Sequence, residues 1–232
     1  MSSDSSLRIL LVDDEPDILE FLSYTLRKEG FIVEIASDGI EGLSKVSSFM
    51  PQLILLDVMM PGMDGIEVCE RIRSDSKFMQ IIVCFLTARS EDYSQLAGFE
   101  AGGDDYIIKP VKPKLLISRV KALLRRSIEM PGISKKEEAI IKVGEVELDR
   151  EKFVLRLSGR EVSLPRKEFE LLSLLMSRPG KVFTRSEIFQ FVWGNDIIVG
   201  DRTIDVHIRK LREKIGDKII HTIKGVGYKF ME

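Results

Sequence analysis

The sequence predicts an α/β domain, built as a doubly wound parallel sheet, followed by a smaller α+β domain. Three observations support this prediction. Short apolar runs alternate with helical segments through residues 1–126, polar side chains directly follow several of these runs, and the pattern changes after residue 140. Alternating strands and helices are typical of a parallel sheet covered on both faces, whereas closely spaced strands separated by turn residues indicate antiparallel pairing.

Each element of the first domain has its own signal. The predicted strands are the apolar runs at residues 7–12, 32–36, 53–56, 81–86 and 106–108. The predicted helices lie at residues 16–29, 39–49, 65–74, 91–101 and 113–126. In the first helix, Ile18, Phe21, Leu22 and Leu26 share one face, which is the spacing of a helix packed against a core.

The second domain is predicted to follow a linker at residues 127–139, a charged stretch that contains a proline and a glycine. Apolar runs at residues 140–149, 152–157 and 161–164 predict a small antiparallel sheet. Three helices are expected next, with starts and ends marked by Pro165, the capping box Thr184–Glu187, Asp201 and Ile215. A β-hairpin at residues 218–231 is predicted to end the domain.

Composition indicates a soluble globular protein with two domains. The chain has 232 residues, of which 44% are hydrophobic and 31% charged. Because no apolar run approaches the ~20 residues that span a bilayer and residues 1–6 are polar, we expect a cytoplasmic protein without a membrane partner. Cys69 and Cys84 lack metal-type spacing and are interpreted as buried thiols.

Charge is distributed unevenly between the two predicted domains. Residues 140–232 carry 18 Lys and Arg against 14 Asp and Glu, and the remainder carries 17 against 23. An acidic half joined to a basic half suggests two domains with different partners.

Polar side chains lie where four predicted strands end: Asp13 and Asp14, Asp57, Thr87 and Lys109. Ligands bind outside the carboxyl ends of such strands, so we expect these side chains to meet. Three clustered carboxylates repel one another and usually need a divalent cation, whereas a lysine supplies a fixed positive charge. The pattern predicts an aspartate that accepts a phosphoryl group. Taken singly, the acidic pair is equally interpreted as a helix cap, and Thr87 as an ordinary strand-end hydroxyl.

Residues 1–126 resemble the receiver domain of bacterial two-component response regulators, which has a flavodoxin-like fold. The resemblance rests on Asp13-Asp14, Asp57, residues 60–65, Thr87-Ala88 and Lys109-Pro110, in this order and at these spacings. It implies that Asp57 is the phosphoacceptor and that the peptide bond before Pro110 is cis. The implied Mg²⁺ ligands are Asp14, Asp57 and the Met59 carbonyl, with help from Asp13. The implied phosphoryl-contact and switch residues are Thr87, Tyr106 and Lys109.

The chemistry of these residues agrees with that resemblance, because phosphoryl transfer mainly requires positioning and charge neutralisation. An alternative is a metal-dependent phosphohydrolase, whose nucleophile is followed two residues later by a second aspartate. Met59 occupies that position here and argues against the hydrolase.

Residues 140–232 resemble the winged-helix DNA-binding domain of the OmpR/PhoB subfamily, through residues 164–172, 185–194, 201–212 and 223–230. Ile204, Ile208, Leu211 and Ile215 form an apolar stripe, which leaves a basic face for the major groove. The resemblance implies Asp205 and Lys210 near bases and Lys224 near the minor groove. The remaining implied DNA contacts are Thr222 and, near phosphates, Arg202, His207, Arg209 and Arg212.

Together the resemblances imply a transcriptional response regulator and not an enzyme. The resemblances imply phosphorylation by a sensor histidine kinase and binding of a homodimer to double-stranded DNA at promoter repeats, with RNA polymerase as a further expected partner. The expected dimer pairs are Asp105 with Arg119 and Glu100 with Lys121, while the positions of a third usual pair hold Gln95 and Leu115. The alternative is a phosphorylation-independent DNA-binding protein whose receiver only dimerises, and the intact acidic site argues against it.

Overall fold

The computed structural model describes residues 7–88, 97–128, 139–194 and 202–231, and of residues 125–128 and 202 it describes the backbone alone. The chain divides into two compact units, Met1–Ile128 and Glu129–Glu232. Gln95, Asp201, residues 91–96 of one predicted helix and residues 129–138 of the predicted linker lie outside the described residues. The linker boundaries at residues 127 and 139 therefore stay predictions.

The first unit is a parallel sheet of five strands in the order β2-β1-β3-β4-β5, which confirms the predicted doubly wound fold. The strands are β1 (Arg8–Val12), β2 (Ile32–Ala36), β3 (Leu53–Asp57), β4 (Ile82–Thr87) and β5 (Asp105–Ile108). The helices with described bounds are α1 (Pro16–Lys28), α2 (Gly39–Phe49), α3 (Gly65–Ser74) and α4 (Pro113–Ile128), with a 3-10 turn at Ser76–Phe78. Residues 97–100 are also helical.

Burial explains why the strands of this sheet are apolar throughout. All five residues of β3 and all six of β4 are buried. Leu19, Leu22 and Leu26 of α1 and Leu116 and Val120 of α4 form one core with the sheet. An alternating polar face is therefore absent from β3 and β4, as expected for a central parallel strand with helices on both sides.

Gly65 allows helix α3 to begin against the end of strand β3. A Cβ atom at this position would lie 2.0 Å from the carbonyl oxygen of Asp57, so any other residue would push the two elements apart. The Gly65 amide donates to the Val58 carbonyl at 3.0 Å, and the Asp64 side chain caps α3 by accepting from the Glu67 amide at 2.8 Å. These contacts fix the strand end that carries Asp57.

A buried ion pair lies at the amino edge of the same sheet. The Arg73 guanidinium contacts the Asp104 carboxylate at 2.8 Å, and both side chains are almost fully buried. Arg73 also donates to the carbonyls of Gly102 and Ile81, at 2.8 and 2.9 Å, and Asp104 accepts from the Val83 amide at 2.8 Å. The pair therefore joins α3 to the amino ends of β4 and β5.

The second unit contains the predicted antiparallel sheet, which has four strands where three were expected, in the order β6-β7-β8-β9. Its strands are β6 (Ile140–Val143), β7 (Val146–Asp149), β8 (Val154–Leu157) and β9 (Arg160–Val162). The run at residues 140–149 is not one strand but two paired ones, because the chain turns at Gly144, whose φ of 58° lies in the left-handed region that favours glycine.

The rest of the second unit combines helices with a three-stranded sheet in the order β10-β12-β11. The described helices are α5 (Arg166–Met176), α6 (Arg185–Ile188), which continues as a π-helical turn at Phe189–Trp193, and α7 (Arg202–Ile215). The strands are β10 (Phe183–Thr184), β11 (Ile220–Ile223) and β12 (Gly227–Phe230). Strand β10 was not predicted, but the capping box between Thr184 and Glu187 is confirmed.

Candidate functional site

Three carboxylates meet at the carboxyl edge of the five-stranded sheet. Asp13 and Asp14 follow β1, Asp57 ends β3, and one oxygen of each lies within 4.8 Å of the others. Asp13 is fully buried and Asp57 is 5% exposed, whereas Asp14 is the most accessible. The predicted acidic cluster is therefore present in the described residues.

Lys109 places its ammonium group within this cluster. Its Nζ atom lies 2.7 Å from Asp13, 3.3 Å from Asp57 and 3.1 Å from Glu15. The peptide bond between Lys109 and Pro110 is cis, as predicted. Glu15 was not predicted as a site residue, although its position directly after Asp13 and Asp14 could have indicated that it lies near the site.

The surroundings of Asp57 raise the pKa of its carboxyl group. Burial raises the pKa of Asp57 to about 6; the Lys109 charge acts in the opposite direction, and the charges of Asp13 and Asp14 add to the increase. Burial alone would lower the pKa of Lys109, but its bond to Asp13 and the charge of Asp57 outweigh that effect and raise it. The cluster thus carries more negative charge than one lysine balances.

The donor set fits a hard divalent cation. Carboxylate oxygens are the ligands that Mg²⁺ and Ca²⁺ prefer, and a cation would relieve the repulsion from Asp13 and Asp14 that adds to the effect of burial on the pKa of Asp57. Receiver-type sites of this kind bind Mg²⁺, and the Asp13, Asp14 and Asp57 cluster matches such a site.

Thr87 and Tyr106 lie on β4 and β5, the two strands that follow β3 in the order of the sheet. Thr87 ends β4 and is 6% exposed, and its carbonyl accepts from the Lys109 amide at 2.6 Å. Tyr106 on β5 is 7% exposed, with its ring edge-on to Phe99 at a centroid distance of 6.0 Å. The structure therefore joins the Thr87 backbone to that of Lys109 and buries the Tyr106 ring on the neighbouring strand.

Helix α7 of the second unit has the two faces that its sequence predicts. Ile204, Ile208, Leu211 and Ile215 are all buried in the core, which confirms the apolar stripe. Asp205 and Arg209 are exposed and Lys210 and Arg212 half-buried on the other faces, while Lys224 and Thr222 are exposed on the hairpin of β11 and β12. The side chain of Arg202 lies outside the described part of the chain.

Comparison with known proteins identifies both units. Residues 9–121 match the family described as "Response regulator receiver domain", and residues 159–230 match "Transcriptional regulatory protein, C terminal". The chain is 39% identical over 227 residues to "DNA-binding response regulator MtrA" of Mycolicibacterium smegmatis, with 96% of each chain covered. This chain belongs to the OmpR/PhoB family of response regulators.

Further relatives of the regulator agree with this assignment. It is 39% identical to "Phosphate regulon transcriptional regulatory protein PhoB" of Rhizobium meliloti, with 95% of this chain and 97% of the relative covered. A solved structure of a RitR mutant superimposes with a TM-score of 0.81 at 28% identity and covers 98% of this chain and 100% of that one. The regulator is therefore a DNA-binding response regulator with a flavodoxin-like receiver and a winged-helix domain. Among the described residues, no helix is long and apolar enough to cross a bilayer.

His207, which was expected near a DNA phosphate, is buried in the described structure, and the phosphate contact stays a prediction. Its side chain is 1% exposed, and its ring packs against that of Trp193 at a centroid distance of 5.2 Å. His207 follows Ile204 by three residues and precedes Leu211 by four, so it lies on the core face of α7. The basic residues on the same helix had led to the prediction of an exposed His207.

Helix α7 of the regulator contacts an arginine that the sequence reasoning missed. Asp205 accepts hydrogen bonds from Arg185, at 2.5 Å, and from the Tyr228 hydroxyl. Arg185 also donates to the Tyr228 oxygen at 3.1 Å, and its guanidinium lies 5.4 Å from the centre of the Tyr228 ring. We name these residues the Arg185–Asp205–Tyr228 cluster. The signal for Arg185 was its place at the start of a capped helix.

The predicted dimer residues make contacts within their own chain. Arg119 lies 3.2 Å from Asp105, which is 1% exposed, and donates to the Tyr106 carbonyl at 2.7 Å. Lys121 lies 2.5 Å from Glu29 at the end of α1. Leu115 is 46% exposed and Glu100 is exposed.

Proposed function

We propose that a sensor histidine kinase phosphorylates Asp57 and that the modified regulator dimerises on repeated promoter sites, where it acts together with RNA polymerase. The observation that carries this proposal is the meeting of Asp13, Asp14 and Asp57 around the Lys109 ammonium at one strand edge. Such a site neutralises a phosphoryl group while holding a carboxylate ready to accept it. In this proposal the only substrate is the phosphoryl donor, so we assign the regulator no enzymatic activity beyond its own phosphorylation and dephosphorylation.

In the proposed reaction an Asp57 oxygen bonds to phosphorus while the bond between phosphorus and the donor histidine nitrogen breaks. Mg²⁺, when held by Asp13, Asp14, Asp57 and the Met59 carbonyl, supplies neutralising charge for the phosphoryl oxygens. Lys109, already 3.3 Å from Asp57, supplies the second positive charge. The Thr87 hydroxyl then donates to the attached phosphoryl group, and movement of Thr87 opens space toward the Tyr106 ring.

Intact mass spectrometry after treatment with a small phosphodonor and Mg²⁺ tests this assignment. One phosphoryl group is expected on the unmodified chain and none on Asp57→Asn or after chelation of the metal. Asp64→Asn is a matched control, because Asp64 follows the same strand but serves as the α3 cap. Full labelling of Asp57→Asn would move the phosphoacceptor to another residue.

For DNA we propose that α7 lies in the major groove. Asp205 and Lys210 then face base edges, the Arg202, Arg209, Arg212 and Thr222 side chains face the backbone, and Lys224 enters the minor groove. The separation of apolar and charged faces on α7 supports this orientation. Selection of preferred sites from random DNA, with and without a phosphoryl mimic, tests it, since direct or inverted repeats should appear only with the mimic.

A further inference from the structure

The Arg185–Asp205–Tyr228 cluster joins three elements of the winged-helix domain at one carboxylate oxygen. Arg185 is the first residue of α6, Asp205 lies in the first turn of α7, and Tyr228 lies on β12. Both the guanidinium and the hydroxyl donate to the same Asp205 oxygen, Oδ1. The orientation of this carboxylate therefore depends on two elements outside the recognition helix.

The two donors are themselves firmly placed. Tyr228 pairs with Phe183 of β10 on one side and with Thr222 of β11 on the other. The Arg185 amide donates to the Val226 carbonyl at 3.3 Å. A Cβ atom on Gly227 would lie 1.9 Å from the Phe183 carbonyl oxygen, so only glycine lets β10 approach β12 this closely. The cluster is thus held from the hairpin side as well as from α6.

A carboxylate in the major groove faces an electrostatic difficulty, because the DNA phosphates repel it. Its useful partner there is the amino group of cytosine, which requires a well-oriented oxygen. A guanidinium bonded to the same carboxylate lowers the repulsion, and charge-assisted bonds of this kind are short and directional. Burial, with help from the bond to Asp205, raises the pKa of Tyr228 to about 12, so the hydroxyl keeps its proton for donation.

We propose that Arg185 is a positioning residue for sequence recognition, which neutralises Asp205 and orients it toward the amino group of a cytosine. Arg185 acts through Asp205, and Tyr228 completes the orientation from the hairpin. This inference rests on the proposed placement of α7 in the major groove. Lysine cannot replace Arg185 fully, because it lacks the planar group that both stacks on the Tyr228 ring and donates to Asp205.

The test measures DNA affinity of the full chain by fluorescence anisotropy. The probes are a duplex selected from random DNA and its single base-pair variants. Asp205→Ala should lower the discrimination at one G·C pair by roughly five- to hundredfold. Arg185→Met should lower discrimination at the same pair by a similar factor, and adding it to Asp205→Ala should produce no further loss there. Tyr228→Phe, which keeps the ring, should give a smaller loss at that pair.

Arg209→Met is the matched control, because it removes one exposed positive charge from α7 without touching the cluster. It should weaken all duplexes alike and reduce the slope of log affinity against log salt by about one. If Arg185→Met behaves like Arg209→Met and its effect adds to that of Asp205→Ala, Arg185 is an independent phosphate contact and the proposal is overturned. If neither Arg209→Met nor Asp205→Ala changes binding, the placement of α7 itself is wrong.

Discussion

The ammonium nitrogen of Lys109 lies 2.7 Å from Asp13 and is more distant from the predicted phosphoacceptor, Asp57, at 3.3 Å. In the unmodified regulator this lysine therefore balances the buried member of the acidic pair first. A phosphoryl group on Asp57 would compete for the same cation, so modification and the Lys109–Asp13 pair are linked.

Replacement of Lys109 by methionine should slow labelling of Asp57 by about 10²–10³-fold, the usual cost of removing one group that stabilises developing charge. Mg²⁺ should also raise the stability of this variant more than that of the original protein, because the three carboxylates of the variant lack the Lys109 ammonium group. Rates from intact mass and melting temperatures with and without Mg²⁺ measure both effects. Lys112→Met, a change at an exposed neighbour, should alter neither.

Stability of the metal-free regulator should fall as the pH rises from about 4 to about 6. The Asp57 pKa is about 6 in the folded chain and 3.8 ordinarily, so within this interval the unfolded chain ionises first and folding requires retaining a proton. Below pH 4 both states are protonated, and above pH 6 the folded state bears the full cost, up to about 3 kcal/mol. Urea unfolding followed by circular dichroism measures this, and the fall should disappear in Asp57→Asn. An equal fall in both proteins would attribute it to other groups.

Lys210→Ala and Lys224→Ala should change DNA recognition in different grooves. Loss of Lys210 should cost roughly 1–3 kcal/mol on the preferred duplex and relax preference at one base pair, because each major-groove edge is distinct. Loss of Lys224 should instead weaken discrimination between A·T and G·C pairs beside the α7 site. Anisotropy titrations on base-pair variants distinguish the two. The same change of preference in both variants would contradict these positions.

Lys121→Glu should weaken the phosphorylation-dependent dimer, and adding Glu100→Lys should partly restore it. Exposed pairs contribute only ~0–1 kcal/mol each, so the expected change in dissociation constant is severalfold. Lys121 is a better probe than Arg119, since Arg119 also binds the Tyr106 carbonyl and its loss would disturb β5. Sedimentation with a phosphoryl mimic measures the dimer. The control is Glu29→Gln, which breaks the pair of Lys121 within its own chain, and an unchanged dimer in Lys121→Glu would place the interface elsewhere.

The order and ends of the receiver elements were predictable because each strand is a short apolar run closed by a polar residue. The same rule located Asp57 and Lys109. Contacts between distant elements were not predictable in this way. Arg185 meets Asp205 only because β10 brings the start of α6 to the hairpin, and two-residue strands such as Phe183–Thr184 have no periodicity to detect.

His207 illustrates a second limit. A polar residue between Arg202 and Arg209 looks like part of a basic surface, yet its helical phase places it on the core side, against Trp193. The buried face of α7 also includes Thr203 and Val206, so the position of His207 along the helical turn determines its burial more than its residue type does.

The Arg73–Asp104 pair gives the five-stranded sheet one rigid edge and one adjustable edge. Separating a buried ion pair by removing one partner typically costs about 3–5 kcal/mol, so sliding of β4 against β5 at their amino ends is strongly opposed. A displacement caused by the proposed phosphorylation of Asp57 would therefore be restricted to the carboxyl edge, where Thr87 and Lys109 lie. If Asp57 is phosphorylated as proposed, the free energy of that modification would act on the surface of β5 and α4 and not on the whole receiver.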